Sequence, residues 1–315
     1  MFKKGPKVSF VIPTRNRPDE LTVCLESLCK EDVGKRSSIH IIDDASNYRQ
    51  KVLNQIICNK FKVDYCYLEK NRGMAVARNI GISRSNGDWV AFLDDDVVVD
   101  SGWYTTLRNN LQSVHENVVG IEGKVTASGG GLWDNEVQNS SQGGYLTCHI
   151  IYKKCKLEQV GGFDSAFEYL GPFCEDHELA LRMLEQGFIS YCPDLKVTHQ
   201  ARSINYFDKI TSTTKRMRGL IKAECYFYLK HPMKYKSVRY HSSFFQTYRA
   251  ILMKHTLTSM RRRGVRKLCS KPLEALMLVL MSSWEQINAW FLLPAVINGR
   301  ILDVRSCDEK TDWCK

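Results

Sequence analysis

The sequence predicts an α/β fold in which a mainly parallel sheet is flanked by helices. Short, continuous apolar runs recur at Val8–Ile12, Ile39–Ile42 and Trp89–Leu93, as expected of strands that are buried on both faces. Helix-like stretches of about ten residues lie between these runs, and this alternation is typical of βαβ units.

Each element has its own signal in the sequence. Pro13 follows the first strand, and Pro18 opens a helix whose apolar residues lie at helical spacing (Leu21, Leu25 and Leu28). The next predicted elements, in chain order, are a strand at Ile39–Ile42, a helix at Tyr48–Cys58, a strand at Val63–Leu68, a helix at Met74–Ser83 and a strand at Trp89–Leu93. A later helix begins near Glu175, and a short strand is predicted at Leu195–His199.

The composition fits a folded protein of a reducing compartment. The 315 residues are 43% hydrophobic with only 8 Pro and 20 Gly, which excludes a disordered or fibrous chain. None of the 12 Cys falls in a Cys-x-x-Cys pair, so the usual zinc spacing is absent. The N-terminal MFKKGPKVSF lacks the apolar segment of a signal peptide. We therefore expect a cytoplasmic protein with mostly free thiols.

The C-terminal third of the chain is strongly basic. The net charge is +11, yet Arg202–Lys271 alone holds 18 Lys and Arg against two acidic residues. This aromatic-rich block predicts a surface for polyanions, either an anionic membrane or nucleic acid, and a solvated helical face is the plain alternative.

The segment Pro272–Ile297 follows the basic block. Its apolar run is far shorter than the roughly 20 residues that span a bilayer. Trp284 and Trp290 suit a helix lying in the membrane interface, while a helix packed on the protein's own core or on another subunit is the alternative. We divide the chain into an α/β domain at 1–205 and a basic, helical extension at 206–315 with an amphipathic helix near 272–297. We expect peripheral attachment to the inner face of the membrane, and the sequence leaves open whether the chain forms homo-oligomers.

Polar clusters follow three of the predicted strands. They are Thr14-Arg15-Asn16, Asp43-Asp44 and Asp94-Asp95-Asp96. Parallel sheets bind ligands at the carboxyl ends of their strands. Three adjacent carboxylates repel one another unless a cation neutralises them, which predicts Mg²⁺ or Mn²⁺ held with a phosphate. An acidic turn capping the helix near Ser101 is the alternative. The sequence contains neither G-x-G-x-x-G nor a Walker A motif, which argues against a Rossmann dehydrogenase or an ATPase.

Further candidates lie outside these clusters. Asn71, Gly73 and Arg78 flank the start of a helix, where Gly73 permits close backbone approach and Arg78 offers a fork of donors to a diphosphate. The Gly- and Ser-rich stretch Thr126–Tyr145 predicts a mobile loop in which Trp133 stacks on a sugar ring. An ordinary surface helix and a plain loop are the respective alternatives.

A second acidic pair, Glu175-Asp176, lies at a helix start after the motif Gly161–Asp164. Such an Asp is suited to act as a general base, and a capping carboxylate is the alternative. His199 ends a strand and is a metal-ligand candidate only if that strand returns to Asp94–Asp96.

Taken together, these pieces resemble a family 2 glycosyltransferase with the Rossmann-like GT-A fold. The resembling segments are VSFVIPTRNR, IIDDASN, NRGMAVARNIGI, WVAFLDDDV, VGGFD, CEDHELALRMLEQGF and PDLKVTH, and together they cover about residues 7–200. The basic extension lies outside the resemblance.

The resemblance implies a role for each candidate residue. The nucleotide site would be lined by Pro13, Thr14, Asn16, Asp43, Asp44, Asn71, Gly73, Arg78, Asp94 and Asp95, with Asp44 and Asp43 at the base. A divalent cation, Mn²⁺ or Mg²⁺, would be held by Asp94, Asp96 and His199. Asp176 would be the catalytic base, supported by Glu175. Beside the roles that the resemblance implies, we expect the sugar or acceptor to meet Gly162, Phe163, Asp164 and Trp133, the last of which lies outside the resembling segments.

The implied reaction is hexosyl transfer with inversion from a nucleoside-diphosphate sugar, with uridine as the expected nucleoside. The acceptor would be a hydroxyl of a glycan or lipid-linked molecule in cell-surface polysaccharide synthesis. Two other functions remain open on the residues alone. Asp94 and Asp96 fit the nucleophile motif of a haloacid-dehalogenase-type phosphatase, and the basic block fits a nucleic-acid-binding protein.

Overall fold

The computed structural model describes residues 5–31, 33, 37–128, 137–171 and 173–200, together with Gly219, Ala223, Tyr226, Phe227, Lys230 and His231. The strands are β1 (Val8–Thr14), β2 (Ser37–Asp43), β3 (Asp64–Tyr67), β4 (Trp89–Leu93), β5 (Val97–Val99), β6 (Val118–Ser128), β7 (His149–Lys153) and β8 (Phe188–Gln200). The helices are α1 (Pro18–Lys30), α2 (Tyr48–Phe61), α3 (Gly73–Arg84), α4 (Trp103–Ser113), α5 (Lys154–Gln159), α6 (Phe167–Leu170) and α7 (Glu175–Leu184).

The strands form one sheet in the order β3-β2-β1-β4-β7-β6-β8-β5. β1 pairs in parallel with β2 and β4, and β2 pairs in parallel with β3. β6 and β8 are also parallel, whereas β7 runs antiparallel to both β4 and β6, and β5 antiparallel to β8. The predicted α/β fold with flanking helices is confirmed. The antiparallel pairings of β5 and β7 make the sheet mixed, and the apolar runs alone did not indicate them.

The hydrophobic core lies on both faces of the central strands. Every residue of β1 and of β4 is buried. Phe10 packs against Trp103 on one face, where α1 adds its apolar side (Leu21, Cys24, Leu25 and Leu28). Phe92 packs against Tyr152 and Phe163 on the other face. Burying each such aromatic or Leu side chain stabilises the fold by roughly 1.5–3 kcal/mol.

Local sequence explains where the helices begin. α1 starts at Pro18, whose missing N–H costs nothing in the first turn, and the acidic residues of that turn favour the helix dipole. Asn47 caps α2 by accepting a hydrogen bond from Gln50 N at 3.1 Å. The predicted helices Tyr48–Cys58 and Met74–Ser83 are each slightly longer in the structure, and the predicted Leu195–His199 strand is the second half of β8.

The parallel half of the sheet places three polar clusters at one edge. Thr14 lies opposite Asp43 in the register of β1 and β2. β4 is the other neighbour of β1 and runs in the same direction, so Asp94 follows it at the same edge. β5 runs antiparallel to β8 and pairs Val97 with His199. Residues from the first and last strands of the domain therefore meet at one edge of the sheet.

Little of the C-terminal extension is described. Gly219, Ala223, Tyr226, Phe227 and Lys230 have helical backbone, and His231 N donates to Phe227 O at 3.0 Å. The rest of the predicted extension, including 272–297, lies outside the described residues, as does Trp133. Among the residues that are described, no helix has the length and apolar character needed to cross a membrane.

Candidate active site

Three consecutive carboxylates follow β4, and each has a different set of contacts. Asp94 Oδ1 accepts from Arg78 Nη2 at 2.9 Å. Asp95 accepts from Thr14 Oγ1 and from Arg17 Nη1, both at 2.8 Å. The same Arg17 nitrogen donates to Asp96 Oδ2 at 2.9 Å. Two guanidinium groups therefore offset the repulsion among the carboxylates.

Asp94, Asp96 and His199 form a candidate metal site. Each presents one ligand atom, and these atoms all lie within 4.8 Å of one another. Asp96 Oδ1 is 3.3 Å from His199 Nε2. The link between the two segments is also made by the backbone, since Gln200 N donates to Asp96 O at 2.8 Å. The structure thus brings His199 back to the acidic cluster.

The donor set of this site fits a divalent cation. Two carboxylates supply hard oxygen ligands and an imidazole supplies nitrogen, a combination suited to ions such as Mn²⁺. Asp95 and Asp96 are only 3% and 6% exposed, and buried carboxylates require positive partners. Burial raises the pKa of Asp95 to about 7, although the charge of Arg17 opposes the rise. A divalent cation at this edge would relieve the negative charge that Arg17 and Arg78 leave uncompensated.

Arg78 connects the two acidic clusters. The Arg78 side chain is buried, with 2% of the residue exposed. Its Nη2 donates to Asp94, and its Nη1 donates to Glu175 Oε1 at 3.2 Å. Its guanidinium also lies 5.6 Å from the centroid of the Phe163 ring, within range of a cation–π interaction. Burial disfavours the charge on Arg78, but Asp94 and Glu175 outweigh that effect and raise its pKa. The partners of Arg78 in the structure are carboxylates, so its contact with a diphosphate stays a prediction.

Glu175 and Asp176 form the first turn of α7, and their environments separate them. Burial, followed by the neighbouring Asp176, raises the pKa of Glu175. Burial acts in the same direction on Asp176, but His177 and Arg78 outweigh it and hold the pKa of Asp176 below its ordinary value. Paired carboxylates whose pKa values are pushed apart are typical of acid–base sites. Asp176 is the ionised member, and its side chain is 19% exposed.

The Asp43-Asp44 pair holds the backbone after β2 and at the start of α3. Asp43 is fully buried and accepts from Ser46 N, Asn54 Nδ2 and Tyr65 OH, each at 2.8 Å. Asp44 accepts from Arg72 N at 2.7 Å and from Gly73 N at 2.8 Å, which fixes the start of α3. Burial raises the pKa of Asp44. Asp43 therefore supports the turn after β2, and contact of Asp44 with a base stays a prediction.

The loops after β1 and β2 are joined by side chains. Asn16 has a left-handed backbone with φ 56°, which Asn tolerates better than most residues. Its N–H donates to Ser46 Oγ, and its Oδ1 accepts from Asn47 N, both at 2.8 Å. Pro13 is buried within β1. In the loop between β3 and α3, the exposed Asn71 accepts from Gly73 N at 3.3 Å.

The Gly162-Phe163-Asp164 motif is fixed by Asn79 of α3. Asn79 Oδ1 accepts from Phe163 N and its Nδ2 donates to Phe163 O, both at 2.7 Å. Gly162 has φ 68°, and a Cβ there would lie 2.5 Å from Asn79 Oδ1, so only glycine fits. The Phe163 ring is 2% exposed. The predicted sugar contact of Phe163 therefore does not use an exposed ring, and Asp164 is the half-buried polar residue of this motif.

Sequence reasoning missed several residues that the structure places at the site. Arg17 neutralises Asp95 and Asp96, Asn79 pairs with Phe163, and His177 contacts Asp176 at 2.9 Å. All three lie inside segments that the sequence had already singled out, namely PTRNR, VARN and CEDHE. Proximity to those motifs was the available signal, whereas the partner of each side chain depends on the tertiary structure.

Comparison with known proteins gives the family. A family model described as Glycosyl transferase family 2 matches residues 9–156. An N-acetylglucosaminyltransferase of Bradyrhizobium sp. (strain ANU 289) is 30% identical over 105 residues, covering 32% of this chain and 69% of that protein. The chain belongs to glycosyltransferase family 2. A longer match, to an N-acetylglucosaminyltransferase of Azorhizobium caulinodans, has 25% identity over 209 residues, 58% of this chain and 52% of that protein.

Solved structures show that this family 2 chain has the GT-A fold. A mannosyltransferase from Pyrobaculum calidifontis, solved with GDP-Man and Mn²⁺, superposes with a TM-score of 0.55 at 13% identity, covering 96% of this chain and 88% of that one. TarS residues 1–349 from S. aureus give a TM-score of 0.53 at 16% identity, covering 93% and 92%. GalNAc-T7, solved with UDP, GalNAc and Mn²⁺, gives 0.52 at 17% identity, covering 81% and 58%. The chain spans about half, or less, of the length of several curated relatives it matches.

Proposed function

We propose that this protein is an inverting hexosyltransferase that moves a sugar from a nucleoside diphosphate to a hydroxyl group. The observation that carries the proposal is the ion-pair network in which Arg78 joins Asp94 of the candidate metal site to Glu175 beside Asp176. Because one buried guanidinium contacts both clusters, the metal ligands and the proposed base belong to a single site. The solved structure with GDP-Man and the one with UDP and GalNAc both also contain Mn²⁺.

The chemistry assigns a separate task to each cluster. A divalent cation held by Asp94, Asp96 and His199 would stabilise the negative charge that develops on the departing nucleoside diphosphate. Asp176 accepts the proton of the acceptor hydroxyl as the hydroxyl oxygen attacks the anomeric carbon. The bond from that carbon to the diphosphate oxygen breaks on the opposite face. One displacement of this kind inverts the anomeric configuration.

Glu175 and Arg78 support the role of Asp176 as the base. Glu175 has a raised pKa and is paired with Arg78, so the negative charge that it carries beside Asp176 is offset by the guanidinium. Asp176 stays ionised and partly exposed, as a base must be. Asp44 and Asn16, on the loops joined after β1 and β2, would receive the nucleoside.

The decisive experiment is a donor screen that measures nucleotide release with Mn²⁺ or Mg²⁺. UDP-sugars are the expected donors. GDP-sugars are included because the Pyrobaculum mannosyltransferase was solved with GDP-Man. Asp176→Asn should lower turnover by about 10²–10⁴-fold while donor affinity is retained. Asp100→Asn, an exposed carboxylate outside the site, is the control. Normal turnover by Asp176→Asn would refute the base, and NMR detection of a retained anomer would refute inversion.

We further propose that the acceptor is a glycan or lipid-linked molecule of cell-surface polysaccharide synthesis, met at the inner face of a membrane. The support is the basic block Arg202–Lys271 and the Trp-bearing segment after it. Replacing Trp284 and Trp290 by Ser should shift the protein from the membrane fraction to the supernatant. Unchanged partitioning would count against this part of the proposal.

A further inference from the structure

His177 follows the proposed base on α7 and contacts its carboxylate in two ways. Its Nδ1 lies 2.9 Å from Asp176 Oδ1, and its backbone N–H donates to the same oxygen at 2.8 Å. Because an ionised carboxylate only accepts, the imidazole carries its hydrogen on Nδ1 in this contact. One oxygen of Asp176 is therefore fixed, and the side-chain donor comes from a residue that is 40% exposed.

Tyr145 also contacts the imidazole of His177. The rings of Tyr145 and His177 meet edge to face, with centroids 6.3 Å apart and planes 80° apart, a favoured aromatic arrangement. Tyr145 is itself held by the fully buried Glu122, whose Oε1 accepts from Tyr145 N at 2.8 Å. The second oxygen of Glu122 accepts from Gly143 N at 2.9 Å. A buried carboxylate thus holds the backbone of Tyr145, whose ring contacts His177.

We propose that His177 is a positioning residue, restrained by Tyr145, that orients the Asp176 carboxylate and keeps it ionised for proton abstraction. The inference rests on the proposed function, in which Asp176 is the general base. It adds a residue and a contact that the acidic motif itself does not contain.

The charged and titratable groups around Asp176 give the expected direction. Arg78 interacts with it from α3, Cys148 from the residue before β7, Tyr152 from β7, and Glu175 precedes it on α7. Arg78 directs its hydrogen bonds to Asp94 and Glu175. Cys148 and Tyr152 have raised pKa values because they are buried, so they stay neutral and do not stabilise an anion by charge. Removing His177 therefore raises the pKa of Asp176.

The test compares His177→Leu with His177→Asn in the full chain. Leu removes the donor, whereas the Asn amide keeps a donor close to the Nδ1 position without a titrating ring. In His177→Leu, the acid limb of the kcat/KM profile should move up by about one pH unit, which is a tenfold loss on that limb, with recovery at high pH. His177→Asn should lie between His177→Leu and the wild type. Donor KM should not change in either variant.

Four further measurements make the result decisive. His115→Leu, a change at an exposed histidine outside the site, should keep the wild-type profile, and circular dichroism melting checks that each variant folds. Tyr145→Leu should reproduce part of the His177→Leu shift. Superposable profiles for His177→Leu and the wild type, or an equal loss at every pH in both His177 variants, would overturn the inference. Asp176→Asn is measured beside them: if it stays active, the proposed base itself is wrong, whereas an inactive Asp176→Asn with an unshifted His177→Leu refutes only the role of His177.

Discussion

Asp96 Oδ1 lies 3.3 Å from His199 Nε2 because β5 and β8 run antiparallel with Val97 opposite His199. The β5–β8 pairing thus brings an imidazole from β8 to the carboxylates that follow β4. With Asp94, these side chains form the candidate cation site.

The first prediction concerns metal binding without turnover. Asp96→Ala or His199→Ala should weaken Mn²⁺ binding, measured by calorimetry, by more than about 100-fold, because each removes a ligand and even outer contacts of metal sites are worth about 10–100-fold. Asp100→Asn removes an exposed carboxylate near the same loop and should bind Mn²⁺ as the wild type does. Equal affinities for all these proteins would exclude the site.

The second prediction concerns the buried guanidinium of Arg78. Arg78→Leu should lower the free energy of unfolding by about 3–5 kcal/mol, because it leaves carboxylates without their buried partner. The matched control is Arg84→Leu, which breaks an ion pair with Asp64 whose side chains are 42% and 38% exposed and should cost less than about 1 kcal/mol. Urea unfolding measures both. Similar losses in the two variants would mean that Arg78 is not a buried link.

The third prediction concerns Glu122, which fastens the segment before β7. Its carboxylate accepts from Asn139 Nδ2, Gly143 N and Tyr145 N. Glu122→Gln replaces one accepting oxygen by a donor and should cost about 1–3 kcal/mol, with faster amide exchange across 139–145 by mass spectrometry. Glu116→Gln, at an exposed position, is the control. Unchanged exchange in Glu122→Gln would contradict the anchoring role.

The fourth prediction is a pH dependence of stability that comes from His149. This imidazole is fully buried, accepts from Trp103 Nε1 at 2.9 Å and has its pKa lowered by burial to about 3. The unfolded chain has the ordinary histidine value of about 6.5. Protonation of His149 therefore favours the unfolded chain. The stability that comes from keeping His149 neutral is fully present above pH 6.5 and is lost as the pH falls toward 3.

His149→Gln tests that prediction, since its amide is able both to accept from Trp103 and to donate to the carbonyl of Lys124 without titrating. Between pH 7 and pH 5, Tm should fall less in this variant than in the wild type, because the variant has no imidazole at position 149 to take up a proton on unfolding. His115→Gln is the exposed control. Parallel curves for the wild type and His149→Gln would show that His149 does not cause the dependence.

Much of the local structure was predictable because its causes are local. Continuous apolar runs fixed β1, β2 and β4, and Pro18 fixed the start of α1. The polar residues after these strands were also predictable as a cluster, since neighbouring parallel strands end at the same edge. The family followed from the same motifs.

The partners of the site residues were not predictable in the same way. Asp43 and Asp44 form one motif, yet Asp43 binds side chains of α2 and β3 while Asp44 holds the backbone at α3. Arg78 joins Asp94 to Glu175 in the structure, and the sequence spacing did not indicate either partner. A charged side chain pairs with the groups that lie near it in the folded chain. The spacing of residues in the sequence does not give those distances.

The sequence alone therefore determined the α/β class, the family and the two acidic motifs, because hydrophobic period and residue type act over a few neighbouring positions. Only the tertiary structure decided that His199 meets Asp96, that Arg78 links both acidic motifs and that Tyr145 restrains His177. These contacts depend on antiparallel strand pairing and on burial, which are properties of the whole sheet.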